Sequence, residues 1–292
     1  MSFKPKTKEE LQIAVDLWCY NNEDALSQYG EINTWSTVNI TDMSDLFKNK
    51  TKFNDNISNW DTSNVINMEY MFDTCITFNC PLNNWDVSHV VNMDYIFGYC
   101  KSFNQPLNNW DTSNVINMST MFCWCKSFNQ PLNNWNTIKV TSMHHMFSKC
   151  YEFNQPLNNW NTSNVKLMYN MFSNCKSFNQ SLNDWNTSNV TNMSHMFYNC
   201  KSFNKSLNDW NVLNVAYMNY MFNNCVNFNK PLDKWDVSNV TNMNYMFENC
   251  KKFNQCIDDW KLNSLKYCDN VMDGCDKYTF NKIYIPSILS TL

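Results

Sequence analysis

Tryptophan recurs every 25 residues, at Trp35, Trp60, Trp85, Trp110, Trp135, Trp160, Trp185, Trp210, Trp235 and Trp260, with no insertion or deletion between them. Taking each Trp as offset 0, other ladders run in register with it. Val occupies offset 5 from Val65 to Val240, Met offset 8 from Met43 to Met243, and Phe offset 12 from Phe47 to Phe247. Cys holds offset 15 from Cys75 to Cys275, Phe offset 18 from Phe53 to Phe253, and Asn offset 19 from Asn54 to Asn254. A period without length variation means that each unit contacts its neighbours and that one extra residue would break the stack. The chain is therefore expected to be a solenoid.

Offsets 5, 8, 11, 12 and 15 have the spacing of one helical face, so Val240, Met243, Met246, Phe247 and Cys250 are predicted to point inward from a short helix. Thr or Ser at offsets 2 and 3, such as Thr187 and Ser188, would cap it. The other half of the unit, Phe-Asn-Gln-Pro-Leu-Asn-Asn-Trp, is rich in turn formers and reads as extended. Pro at offset 21 cannot donate to a ladder, so a short parallel strand is expected after it, near Leu107 to Trp110. Leu and Trp stand three apart, which a regular strand would place on opposite faces, so the strand must be bulged or very short. Ten coils at strand spacing give a rod of roughly 45 to 50 Å.

The pattern W-[DN]-[TV]-S-N-V-T-N-M-x-x-M-F-x-x-C-x-x-F-N-Q-P-L-N-N resembles the BspA-like family of leucine-rich-repeat surface proteins over about residues 34–284. Upstream, FKPKTKEELQIAVDLW and YGEINTW resemble the segment that precedes the first repeat in that family. The resemblance implies a leucine-rich-repeat-like solenoid, with short parallel β-strands on one side and short helices on the other, used to bind proteins or cell surfaces.

A stacked core needs a cover at each end. Residues 1–33 are expected to form an N-terminal helical cap, with Thr7 to Glu10 as a capping box, Leu11, Ala14, Val15 and Trp18 as the apolar face, and Gly30 at its end. Ten repeats then fill 34–284. The last is degenerate, since Cys268, Met272, Tyr278 and Thr279 replace Met, Phe, Phe and Asn. Residues 285–292 would close the far end.

Composition excludes several functions. The 22 basic residues are all Lys and the net charge is −4, which lacks both the basic footprint and the bidentate Arg contacts of nucleic-acid binders. No apolar run of membrane-spanning length occurs, and the N-terminus MSFKPKTKEE is polar, so no membrane insertion is expected and a soluble intracellular location is favoured over secretion.

The 14 cysteines admit three readings: core packing, oxidation between coils, or soft-metal binding. Metal sites need ligands converging on a point, which one thiol per coil does not give, so packing is preferred and no cofactor is expected. His89, His144, His145 and His195 have no recurring nucleophile or acid beside them, and the chain is read as non-enzymatic. Asn at offset 19 either bonds the next coil or offers a row of carboxamides to a partner. Thr at offset 2 (Thr62, Thr112, Thr137, Thr162, Thr187) either caps helices or forms an array for a repetitive lattice such as ice. Lysines at offset 16 and acids at offsets 23 and 24, among them Asp184, Asp209, Asp233, Asp258 and Asp259, read as solvated edges.

Recognition falls to the variable columns, because the ladders have no freedom to encode it. Offset 10 carries Tyr70, Tyr95, His145, His195, Tyr220 and Tyr245, and offset 14 adds Tyr99 and Trp124. These rings either pack between coils or form a stripe that binds a protein or glycan partner. The runners-up are a lattice binder and a metal or redox protein built on the Cys ladder.

Overall fold

The computed structural model describes residues 3–276. The tail from Tyr278 onward, including the expected far-end cover at 285–292, lies outside these residues. Each repeat forms one coil, and successive coils are joined by parallel single-residue bridges at offset 7: Asp42 to Asn67, Asn67 to Asn92, and onward to Asn242 with Tyr267. The chain is a repeat solenoid.

The expected helix does not form. Among the described residues, no helical segment follows Thr34. Offsets 8 to 18 instead run as overlapping turns, with amide-to-carbonyl bonds from Met71 to Met68, Asp73 to Tyr70, Cys75 to Phe72 and Phe78 to Cys75 in one coil. The cause lies in the columns at offsets 10 and 14, which are left-handed in every coil, with φ of 55° at Tyr70, 57° at His195, 66° at Trp124 and 58° at Asn199. A right-handed helix cannot pass through such residues. They stand third in the turns 8–11 and 12–15, where a positive φ is what a type II turn requires.

This conformation turns the backbone outward to the next coil. The amides at offsets 8, 10, 12 and 14 donate to the carbonyls at offsets 7, 9, 11 and 13 of the following coil, as in Met68 to Asn92 (3.0 Å), Tyr70 to Asp94 (2.9 Å), Phe72 to Ile96 (2.9 Å) and Thr74 to Gly98 (2.7 Å). A helix would have spent those groups within one coil. Val65, Met68, Met71, Phe72 and Cys75 still all point inward and are fully buried.

The expected strand is also displaced. The parallel pairing lies at offset 7, and Leu107 to Trp110 is a turn closed by the Trp110 amide on the Leu107 carbonyl at 3.1 Å. A turn puts residues three apart on the same side, so both are buried.

The polar side chains of the Trp, Cys, Asn and Thr columns bond to a neighbouring coil. The indole Nε1 of Trp110 donates to the Leu82 carbonyl (2.9 Å) and that of Trp210 to Leu182 (2.7 Å), a bond repeated from Trp60 to Trp260. The Sγ of Cys175 donates to the Phe147 carbonyl at 2.9 Å, and the same bond recurs from Cys75 to Cys275. Asn154 Oδ1 accepts from the Asn179 amide at 2.9 Å, one link in a chain from Asn54 to Asn254. Thr at offset 2 is no helix cap: Thr162 Oγ1 donates to the Asn186 carbonyl of the next coil at 3.0 Å. Thr62, Thr112, Thr137, Thr162 and Thr187 are at most 2% exposed, so this array cannot meet a lattice.

The apolar ladders stack. Phe72 lies 5.7 Å from Phe97 at 4°, Phe103 lies 6.0 Å from Phe128 at 7°, and Trp135 lies 6.3 Å from Trp160 at 3°. Such offset stacks contribute on the order of 1 kcal/mol each beyond area burial.

At the N-terminal end the helices α1 (Lys8–Tyr20) and α2 (Asn22–Tyr29) cover the first coil. Thr7 Oγ1 accepts from the Glu10 amide, while the Glu10 carboxylate reaches back to the Lys6 amide rather than that of Thr7. Leu11, Ala14, Val15 and Trp18 form the buried face. The cap supplies what a preceding coil would. Gln12 Nε2 donates to the Leu46 carbonyl (3.0 Å), Asn39 Nδ2 donates to the Pro5 carbonyl (3.3 Å), and Trp35 Nε1 donates to the Gly30 carbonyl (3.1 Å).

Two outcomes follow. In urea titrations Asn249→Val, which forces a β-branched residue onto a φ of 59°, is expected to be at least about 1 kcal/mol less stable than Asn249→Gly. In thiol titration of the native protein, the exposed Cys19 and Cys256 and the half-buried Cys268 and Cys275 should be the reactive groups, with the ten buried cysteines silent until unfolding.

Candidate functional site

The left-handed backbone at offsets 10 and 14 fixes where the variable side chains leave the coil. Their rings do not form one stripe. Tyr70 and Tyr95 stack at 4.8 Å, with Lys48 Nζ 4.1 Å from the Tyr70 ring centre. Further along, His195, Tyr220 and Tyr245 stack at 4.6 and 4.7 Å. Between these islands the column passes through Thr120, which is buried, and Asn170.

His145 belongs to neither stack. It meets His144 and Tyr169 edge-on at 5.8 and 5.4 Å, while His144 lies flat on Tyr169 at 4.6 Å. Burial, helped by His144, His195 and Lys149, brings the His145 pKa down to about 4. The Ser119 hydroxyl, one coil before His144, donates to Ser142 Oγ at 2.7 Å rather than to an imidazole.

Tyr99 and Trp124 stack at 5.7 Å in the offset-14 column. Lys149 follows in the same column, its Nζ 3.9 Å from the Trp124 ring centre. Lys126 and Lys176 then flank Tyr151 at 5.5 and 4.6 Å. Gly98 makes room for the Tyr95 ring of the neighbouring column, since a Cβ there would stand 2.7 Å from Tyr95 Cδ1.

Sequence reasoning overlooked Lys149, Tyr151 and the offset-9 column. In that column Glu69 and Asp94 are neighbours, and Asp94 Oδ1 is buried with no hydrogen-bond partner. Burial first, and then the Glu69 charge, raise the Asp94 pKa to about 6. Reading acids one coil apart as spatial neighbours would have found this pair.

The ladder cysteines have no thiolate character. Burial holds Cys100, Cys125, Cys150, Cys175, Cys200, Cys225 and Cys250 well above the ordinary thiol range. Among the described residues, no group of three His, Cys, Asp or Glu side chains converges to hold a metal ion. A cleft of about 550 Å³ between α1 and the first coil is lined by Trp18, Cys19, Lys50 and Asp55. Within it Lys50 pairs with Asp16 at 2.6 Å, and Asp55 accepts a hydrogen bond from the Trp18 indole at 2.8 Å.

The family described as "Mycoplasma protein of unknown function, DUF285" matches residues 19–122, 106–192 and 180–284, three overlapping stretches that tile nearly the whole chain. The chain belongs to this family. No curated protein matches the chain. A solved structure titled "Crystal structure of TLR13-ssRNA13 complex" aligns with 82% of this chain and 54% of its own length, at 9% identity and a TM-score of 0.21. The chain thus spans about half the length of that protein.

Asp94 and the half-buried His145 give opposite pH dependences. Asp94, raised in the folded state, contributes its stability at low pH and loses it as pH rises through about 6. His145, lowered in the folded state, contributes fully above its unfolded value and loses that as pH falls toward about 4. Asp94→Asn is therefore expected to stabilise the protein at pH 8 by about 1 kcal/mol after allowance for solvent screening, with no gain at pH 4. Denaturant titrations at the two pH values check this.

Proposed function

We propose that the chain is a non-enzymatic interaction module, an adhesion-type, leucine-rich-repeat-like solenoid of BspA-like character whose variable columns contact a protein or glycan partner. The observation that carries this reading is a division of labour. Trp, Cys, Asn and Thr of the ladders spend their polar atoms on neighbouring coils, while the drifting columns present rings and ammonium groups at partly exposed positions. Tyr and Trp are favoured as interface anchors because they bring large contact area at low entropic cost. Recognition by such columns does not need a membrane segment, and no helix of the described residues is long and apolar enough to cross a bilayer.

The lattice reading loses its support, since its Thr array is buried. The redox reading is weakened, since the ladder thiols from Cys75 to Cys250 are each buried and bonded to a carbonyl.

Labelled full-length chain applied to protein and glycan arrays is expected to bind saturably. The variants Tyr70→Ala/Tyr95→Ala, Trp124→Ala/Lys149→Ala and Tyr220→Ala/Tyr245→Ala separate the three ring islands, and one of them should weaken binding by at least about tenfold. Unchanged binding in all three, with unchanged circular dichroism, would contradict recognition through these columns, as would the absence of saturable binding.

A further inference from the structure

One face of the rod carries lysines that form no ion pair among the described residues. Column 16 holds Lys101, Lys126, Lys176 and Lys201 in four of five successive coils, with Tyr151 in the gap. Column 14 holds Tyr99 and Trp124, followed by Lys149. In the coil of Trp135 the lysine and the aromatic residue have thus exchanged columns. The exchange places the Lys149 ammonium on one face of Trp124, whose other face stacks on Tyr99, and places Tyr151 between Lys126 and Lys176.

The ion pairs among the described residues are Lys8 with Asp42, Lys48 with Asp45, Lys50 with Asp16 and Lys234 with Asp209. None involves these five lysines. The nearby acids are Asp73 beside Tyr99 and Glu152 next to Tyr151. On a chain of net charge −4, this leaves a local row of cations. Ring faces hold several of them, so less side-chain freedom is lost when an anion binds.

We propose that this face binds a linear acidic polysaccharide lying along the rod axis, with uronate or sulfate groups meeting the lysines and sugar C–H groups meeting the ring edges. The inference rests on the interaction reading above and names the partner class. Spacing and surface both favour this occupant. Coils stacked at strand spacing rise about 4.8 Å, close to the rise of one pyranose in an extended chain. An extended acidic peptide rises about 3.4 Å per residue, so its residues do not match the coils one for one. Single-stranded nucleic acid binds through open ring faces on which bases stack, and both faces of Trp124 are occupied. The chain also has no Arg to grip phosphates in a fork.

Calorimetry with the full chain and four probes tests this: polygalacturonate, neutral dextran, polyglutamate and oligo-dT. Polygalacturonate is expected to bind, to weaken with added salt, and to bind at least about tenfold more weakly to Lys126→Gln/Lys149→Gln. The control Lys261→Gln/Lys266→Gln removes the same charge outside columns 14 and 16 and should bind within about twofold of the parent chain. Equal weakening in both variants, binding of dextran, or equally tight binding of polyglutamate or oligo-dT would overturn the proposal. If polygalacturonate fails to bind while the arrays reveal a partner lost with Tyr220→Ala/Tyr245→Ala, the acidic-glycan inference falls and the interaction module stands. Failure of both assays removes both.

Discussion

The structure depends on main-chain hydrogen bonds that run between coils rather than within them. Amides at offsets 8, 10, 12 and 14 reach the next coil because the residues at offsets 10 and 14 take a left-handed conformation. That conformation costs roughly 1 kcal/mol or more for a residue with a Cβ. Each left-handed residue is part of a turn that frees several backbone groups for intercoil pairing, and the pairing repeats at every interface. Stability is then a sum over coil interfaces, which is why the cap must imitate a coil and why Gln12 seeks the Leu46 carbonyl.

The ladder side chains follow from the same geometry. Turns leave carbonyls at offsets 12 and 22 pointing into the interior, where an unpaired polar group is costly. Cys is small enough to pack beside stacked Phe rings and still donate its S–H, and Trp fills a large volume while placing an N–H against a carbonyl. Both residues are therefore structural where their reactivity would suggest chemistry. Side chains outside these ladders, among them Tyr220, Trp124 and Lys149, lie in the variable columns.

The inward set was legible in the sequence because burial is periodic whatever the backbone does. Val65, Met68, Met71, Phe72 and Cys75 are buried as their spacing required. The backbone was misread because the same spacing suits a helical face and a series of tight turns. One signal could have decided it: offset 14 carries Asn49, Asn174, Asn199, Asn224, Asn249 and Gly274, the residue types that tolerate a left-handed backbone. The helix α2 was likewise readable from Asn21 as its cap and Gly30 at its end. Among the candidate residues the columns were legible but their grouping was not. The split into Tyr70–Tyr95, Tyr99–Trp124 and His195–Tyr220–Tyr245 depends on which residues occupy the intervening coils, and Lys149 gains its place only through the ring beneath it.

The central claim is that one coil is a 25-residue unit held to its neighbours in strict register. Urea unfolding of two deletion variants tests it most directly. Removing residues 160–184 deletes one whole period and should leave a cooperative transition, with the slope reduced by about a tenth as less surface is exposed. Removing residues 160–183 deletes one residue fewer, shifts every ladder at the junction, and should abolish the single cooperative transition. Equal cooperativity in the two variants, or loss of folding in the first, would contradict the account.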